Sequence, residues 1–281
     1  MRPTGAARLA GVVGDPIGHS LSPSLMSAWI DAAGLDAVYA PFAVRKDEAA
    51  DFFRTMARTQ LAGLNVTLPH KQTALAISDR ASEAAQAIGA ANLLTFKDGQ
   101  IHADNTDATG FLNALLAAGI DPKQGPALVL GAGGAARAIL HALVQAGVPE
   151  IRLSNRSFAN AEALARDLAP PARIYPWEQR DQALDQIALV VNATALGLAG
   201  NPNLQLDWRA APTSAIACDS VYKPLQTGFL RDADERGIKT VDGLGMLIGQ
   251  ARPSFEAFFG ASPPESVDAR ALLVSLLGSE R

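Results

Sequence analysis

The chain has 281 residues, 48% hydrophobic and 19% charged, enough apolar material for two moderate domains and too much for intrinsic disorder. A formal charge of -4 with no basic cluster argues against nucleic acid or a membrane surface as partner and for a small-molecule ligand. No apolar run reaches the length of a membrane span and the N-terminus lacks a secretion-signal pattern, so a cytoplasmic location is expected.

Arg8 to Gly14 predicts a first strand, broken by the turn residues Asp15-Pro16-Ile17-Gly18. Ser20-Leu21-Ser22-Pro23 then opens a helix from about Pro23 to Ala33, with Ser22 as N-cap and Pro23 as first helical residue. A strand over Val38 to Phe42, a helix over Lys46 to Arg58 and a strand over Leu61 to Thr67 follow, the last running into Leu68-Pro69-His70-Lys71. This alternation implies a largely parallel sheet. A helix from about Ala81 to Ile88 leads to Gly89-Ala90-Ala91-Asn92, and Leu93 to Phe96 with Ile101 to Ala103 predict a hairpin across Lys97-Asp98-Gly99, placed at one edge of the sheet. Asp104-Asn105-Thr106-Asp107 is a polar cluster capping a helix of Thr109 to Ala118, and it marks the domain boundary: residues 1–107 with 243–281 form one domain, 108–242 the other.

The second domain is built around Ala127 to Ala146, where a buried strand, a glycine-rich turn and an amphipathic helix follow in succession. Gly131, Gly133 and Ala136 have the G-x-G-x-x-G/A spacing. The first glycine permits the tight turn, the second lets backbone approach a ligand, and the small third residue lets helix pack on strand. Unpaired N–H groups and the positive helix end then meet at one point, which suits a pyrophosphate. Strands at Ile151 to Ser154, Ile174-Tyr175, Leu189 to Asn192, Ala215 to Asp219 and Lys239 to Val241 alternate with helical segments, giving a doubly wound parallel sheet. Helices over Asp242 to Phe259 and Glu265 to Leu277 are too apolar to lie exposed and are expected to return to the first domain.

The chemistry sits in polar clusters at strand ends. In dinucleotide-binding sheets an acidic residue about 20 positions past the glycine turn accepts hydrogen bonds from the adenosine 2′-hydroxyl. Here the strand ends in Asn155-Arg156-Ser157, which has no carboxylate to repel a 2′-phosphate and has a planar cation and a hydroxyl to hold one, so NADP is expected over NAD. In the first half Ser20, Ser22, Asn65, Thr67, Lys71, Asn92 and Asp107 lie at loop or strand ends and suit a polyhydroxylated substrate. Lys71 is placed in a first helical turn, where the helix dipole disfavours a cation, so a carboxylate or a substrate is needed to explain it; Asp107 is the candidate carboxylate. The histidines, at positions 19, 70, 102 and 141, lack metal-ligand spacing, so no metal is expected, and the single Cys218 reads as a small buried residue.

These residues carry a resemblance that covers nearly the whole chain. Ser20-Leu21-Ser22-Pro23, Asn65-Val66-Thr67-Leu68-Pro69-His70-Lys71, Gly89-Ala90-Ala91-Asn92, Asp104-Asn105-Thr106-Asp107, Gly131-Ala132-Gly133-Gly134-Ala135, Asn155-Arg156-Ser157, Asn192-Ala193-Thr194, Asp219 to Pro224 with Thr227, and Asp242 to Leu247 with Gln250 resemble, in order, the motifs of the shikimate dehydrogenases. The resemblance implies an N-terminal mixed α/β substrate domain, completed by the C-terminal helices, and a Rossmann-like NADP domain. It implies reversible reduction of 3-dehydroshikimate to shikimate, with Lys71 and Asp107 as the catalytic pair. Ser20, Ser22 and Tyr222 would hold the substrate carboxylate and Asn65, Thr67, Asn92 and Gln250 its ring hydroxyls, while Gly131 to Ala135, Asn155, Arg156, Ser157, Asn192, Thr194, Val221 and Gly243 would hold the cofactor. A monomer or homodimer is expected. The sequence departs from the pattern at Met26, Leu93 and Asn160, the last standing where many NADP-specific members carry a second cation. A quinate/shikimate dehydrogenase using NAD and a non-catalytic metabolite sensor remain as alternative readings.

Overall fold

Apolar runs of strand period and helix period alternate along the chain, and the computed structural model, which describes residues 3–279, turns them into two separate sheets. One unit takes the chain up to Thr106 together with the segment from Leu247 onward; the other is Asp107–Met246. The first contains β1 (Arg8–Gly14), α1 (Ser22–Ala32), β2 (Ala37–Ala43), α2 (Ala49–Met56), β3 (Leu61–Val66), α3 (Lys71–Ala76), β4 (Arg80–Ala81), α4 (Glu83–Ile88), β5 (Leu93–Lys97) and β6 (Gln100–Asp104). Its sheet runs in the order β2-β1-β3-β5-β6-β4. β1 pairs in parallel with β2 and β3, and the β5–β6 hairpin enters antiparallel to β3. The hairpin turn is the two-residue Asp98-Gly99, both at positive φ (53° and 75°), the geometry that matches the twist of the flanking strands. It does not form the expected sheet edge: β4 pairs in parallel with β6 and takes that place.

The start of α1 differs from expectation in a way that matters for the site. Leu21 is already in the right-handed helical region and stands at the N-cap, so Ser22 is the first helical residue and its hydroxyl does not cap the helix. The neighbouring Ser20 hydroxyl instead accepts from the Ser22 backbone N–H at 3.3 Å. Similarly, Ala81 ends a strand rather than opening a helix, because Ser82 caps α4 by accepting from the Ala85 N–H at 3.1 Å.

The second unit begins with α5 (Asp107–Ala117), two residues before the expected helix, and continues through β7 (Ala127–Leu130), α6 (Gly134–Ala146), β8 (Ile151–Asn155), α7 (Phe158–Leu168), β9 (Arg173–Pro176), β10 (Leu189–Asn192), β11 (Ile216–Asp219), α8 (Gly228–Asp234) and β12 (Lys239–Val241). All its pairings are parallel and the order is β12-β11-β10-β7-β8-β9. The chain therefore winds outward from β7 first to one side and then to the other, so the turn after β7 sits at the topological switch point where doubly wound sheets bind ligands. Leu128, Leu130, Val190 and Ala217 pack one face of this sheet onto Phe229 and Trp208.

α9 (Leu244–Phe259) and α10 (Ala269–Ser279) close the chain. Beyond Met246 both belong to the first unit. Phe255 of α9 meets the fully buried Trp29 of α1 edge-on at 5.6 Å, and Phe258 lies 6.3 Å from Tyr39 of β2. α10 starts at Ala269 rather than Glu265, since the Asp268 side chain accepts from the Ala271 N–H at 2.9 Å.

Candidate active site

In the first unit, the ends of β3 and β5 and the middle of α9 bring three amides together. Asn65 donates to the Ser254 hydroxyl at 2.7 Å and to the Asn92 carbonyl at 3.3 Å, and its oxygen accepts from the Tyr39 hydroxyl at 2.7 Å. Asn92 donates to the Gln250 side-chain oxygen at 3.3 Å and to Thr106 Oγ1 at 3.0 Å, and its own oxygen accepts from the Thr106 N–H at 2.8 Å. Asn65 and Asn92 are buried, at 5% and 2% exposure, so each orientation is held by the fold before any ligand arrives. Burial also raises the Tyr39 phenol pKa well above its ordinary value, which keeps it a donor to Asn65.

Thr67 and Lys71 flank the loop from β3 to α3, both half-buried. Thr67 packs its methyl where a Cβ on Gly14 would sit, 2.5 Å away, so Gly14 makes room for this loop. His70 is fully buried; its Nε2–H donates to the Val44 carbonyl at 2.8 Å and its ring meets Phe53 edge-on at 6.5 Å, tying down the residue before Lys71. Lys71 is the first residue of α3, where the helix offers its positive end to a cation. Asp107 is the first residue of α5, buried at 4% exposure, where the same dipole favours a carboxylate. Thus Ser20, Ser22, Asn65, Thr67, Lys71, Asn92 and Gln250 lie in the first unit, whereas Asp107 and the half-buried Tyr222 belong to the second.

In the second unit, Gly131 has φ +117°, and a Cβ there would lie 2.8 Å from the Ala193 carbonyl oxygen, so only glycine fits. Gly133, at the N-cap of α6, has an ordinary φ of -86°, and a Cβ on it would meet nothing within 4 Å. No side chain caps α6, which leaves the N–H groups of its first turn without a capping acceptor, and this fits a pyrophosphate. Asn155 donates to the Ser157 carbonyl at 2.9 Å and shapes the turn bearing Arg156, which is exposed and has no ion-pair partner among the described residues. Asn192 and Thr194 form a different kind of feature. Asn192 is fully buried; its amide donates to Leu196 O and Asp219 Oδ1 and its oxygen accepts from the N–H and hydroxyl of Thr194. That uses its whole hydrogen-bonding capacity, so Asn192 shapes the turn rather than presenting its side chain to a ligand.

Asp219 itself, unlike Val221 and Tyr222 of the same motif, is given no role by the sequence. It accepts from Asn192, from the Val221 N–H at 2.9 Å and from the Thr227 hydroxyl at 2.7 Å, and burial raises its pKa to about 6 against the lowering effect of these donors. Tyr39 and Ser254 also escape the sequence reading, because their importance lies in partners distant along the chain, and Thr106, named only as part of a capping cluster, turns out to orient Asn92. Cys218 is buried and its thiol is pushed well up by burial, as an inert core residue requires. Among the described residues no group of three or more His, Cys, Asp or Glu could hold a metal ion, and no helix is long and apolar enough to cross a membrane.

A glycine turn at the switch point of a doubly wound sheet, joined to a unit rich in buried amides, defines the class: a two-unit protein of dinucleotide-binding type. Comparison with known proteins narrows it. The model of the shikimate dehydrogenase substrate binding domain matches residues 12–94, that of shikimate / quinate 5-dehydrogenase residues 116–199, and that of the shikimate 5′-dehydrogenase C-terminal domain residues 243–273. The chain is 52% identical to a shikimate dehydrogenase (NADP(+)) of Maricaulis maris, over 99% of this chain and 100% of that protein. Its fold is similar to shikimate 5-dehydrogenase from Thermus thermophilus, solved in complex with NADP(H) and shikimate (TM-score 0.84, 38% identity, covering 95% of this chain and 99% of that one). Shikimate dehydrogenase from Aquifex aeolicus is likewise similar (TM-score 0.89, 33% identity, 97% and 99%). The chain belongs to the shikimate dehydrogenase family.

Proposed function

We propose that this protein catalyses the reversible NADP-dependent reduction of 3-dehydroshikimate to shikimate, the step of aromatic amino acid (chorismate) biosynthesis that gives its family its name, as a cytoplasmic monomer or homodimer. The observation that carries this reading is the full-length 52% identity to an NADP-dependent family member, combined with the set of amides, hydroxyls and Lys71 in the unit that matches the family's substrate binding domain. Ser20 and Ser22, with Tyr222, hold the substrate carboxylate. Ser22 is suited to this because its hydroxyl has no capping duty. Asn65, Thr67, Asn92 and Gln250 hold the ring hydroxyls, with the two asparagines already oriented by Tyr39, Ser254 and Thr106. Residues Gly131 to Ala135 cradle the pyrophosphate, Arg156 and Ser157 take the 2′-phosphate beside Asn155, and Thr194, Val221 and Gly243 border the remainder, with Asn192 fixing their turn.

Bound NADPH supplies the hydride that reduces the ketone carbon. As the carbonyl oxygen gains negative charge, Lys71 stabilises it and gives it a proton. Asp107 favours the protonated, correctly turned ammonium and so acts with Lys71 as one unit. In the oxidative direction the pair receives the proton from the hydroxyl being oxidised. Steady-state oxidation of shikimate, followed by the absorbance of NADPH formed, tests the reading: turnover supports it, and absence of turnover by protein that binds both ligands supports the sensor alternative.

A further inference from the structure

Asp219 is 1% exposed and has no cationic partner among the described residues, so the cost of burying it is met only by the hydrogen bonds that its side chain accepts. It joins the end of β10, the loop after β11 and the start of α8. Through Oδ1 it accepts from Asn192, whose oxygen in turn fixes the Thr194 N–H and hydroxyl at 3.0 and 2.7 Å. The same oxygen accepts from the Val221 N–H, and Oδ2 accepts from Thr227, the N-cap of α8. The loop after β11 is braced from its other side as well: a Cβ on Gly243 would lie 2.6 Å from Ser220 O and 2.8 Å from Val221 O. Asn192 and Asp219 stand side by side in register at the carboxyl ends of β10 and β11. In a doubly wound sheet these strands form the second mononucleotide half, on the far side of the switch point from β8 and Arg156.

We propose that Asp219 is a positioning residue for the cofactor: its buried carboxylate sets the Thr194 turn and the Val221 loop in the shape that receives the nicotinamide half of NADP, without itself touching the ligand. The inference rests on the NADP reading above and adds that the two halves of the cofactor depend on separate parts of the unit. Asp219→Asn keeps one oxygen for Asn192 and Val221 and can donate to Thr227, so it preserves the arrangement; Asp219→Ala removes every acceptor.

The test is calorimetric binding of NADP+ and, separately, of adenosine 2′,5′-bisphosphate, which carries the adenosine and 2′-phosphate but no nicotinamide. Asp219→Ala should weaken NADP+ by about tenfold or more, the scale of a lost charged hydrogen bond, while the bisphosphate stays within about twofold and Asp219→Asn restores NADP+ binding. If Asp219→Ala does not fold, as thermal unfolding will reveal, Asp219→Val, an apolar residue nearer to Asp in size, removes the acceptors without leaving a void and takes its place. Equal weakening of both ligands, or unchanged NADP+ affinity, overturns the proposal. Wild-type protein that binds neither ligand would overturn the NADP reading instead.

Discussion

Lys71 and Asp107 are both first residues of helices, and the dipole acts on them in opposite senses: it favours the carboxylate and disfavours the ammonium. A lysine kept at such a position fits work on a substrate that develops negative charge. Since positioned acid–base groups contribute about 10²–10⁴-fold, Lys71→Ala should lower kcat by that order with a much smaller effect on the Michaelis constant for shikimate. Asp107→Asn should also lower kcat, and the double variant should lose less than the product of the two losses, as residues acting in one unit do. Simple multiplication would show that they act independently. Arg156 is the one cation in its strand-end motif, and a charged phosphate contact contributes roughly 1.5–3 kcal/mol, or about ten- to over a hundredfold. Arg156→Ala should therefore raise the Michaelis constant for NADP by that factor and leave that for NAD nearly unchanged; an unaltered NADP-to-NAD ratio would locate phosphate recognition elsewhere.

At the scale of elements, two glycines of one turn perform different tasks. Gly131 combines φ +117° with a carbonyl oxygen 2.8 Å from where a Cβ would lie, so Gly131→Ala should cost roughly 1–3 kcal/mol of stability, read as a lower thermal midpoint. Gly133 is unstrained with open space before it, so Gly133→Ala should leave the midpoint nearly unchanged and weaken NADP+ binding by intruding on the pyrophosphate. A large loss of stability in the second variant would mean that the space is not a ligand site. This turn was legible in the sequence because its signals are local: an apolar strand, spaced glycines and an amphipathic helix lie within 20 consecutive residues, Ala127 to Ala146. The Asp98-Gly99 hairpin turn was legible for the same reason. The sequence pattern failed where a local rule lost to its neighbours. Ser22 before Pro23 has the composition of a cap, yet Leu21 takes that position; the hairpin was expected at the edge, yet β4, only two residues long, covers it. The Tyr39–Asn65–Ser254 chain was illegible because β2, β3 and α9 carry no sign in their own periodicity that they will meet.

For the molecule as a whole, Asp219 gives the stability a pH dependence of defined sign. Burial raises its pKa from 3.8 to about 6, so the native state binds the proton more tightly than the unfolded chain. A carboxylate shifted in this direction weakens the fold as pH rises through that window, and its full cost applies above about pH 6. From pH 5 to 7 the loss from this one group is roughly 1 kcal/mol. Asp219→Asn has no such titration, so in urea unfolding its stability relative to wild type should improve by about that amount between pH 5 and pH 7. A difference independent of pH would mean that Asp219 does not titrate in this range.

The central claim, that this member of the family is an NADP-dependent shikimate dehydrogenase, is tested most directly by initial rates with shikimate and quinate, each with NADP and with NAD. The amides of the first unit and Arg156 of the second predict that kcat/KM is highest for shikimate with NADP and falls when either partner is exchanged. Equal or greater kcat/KM for quinate with NAD would contradict the assignment.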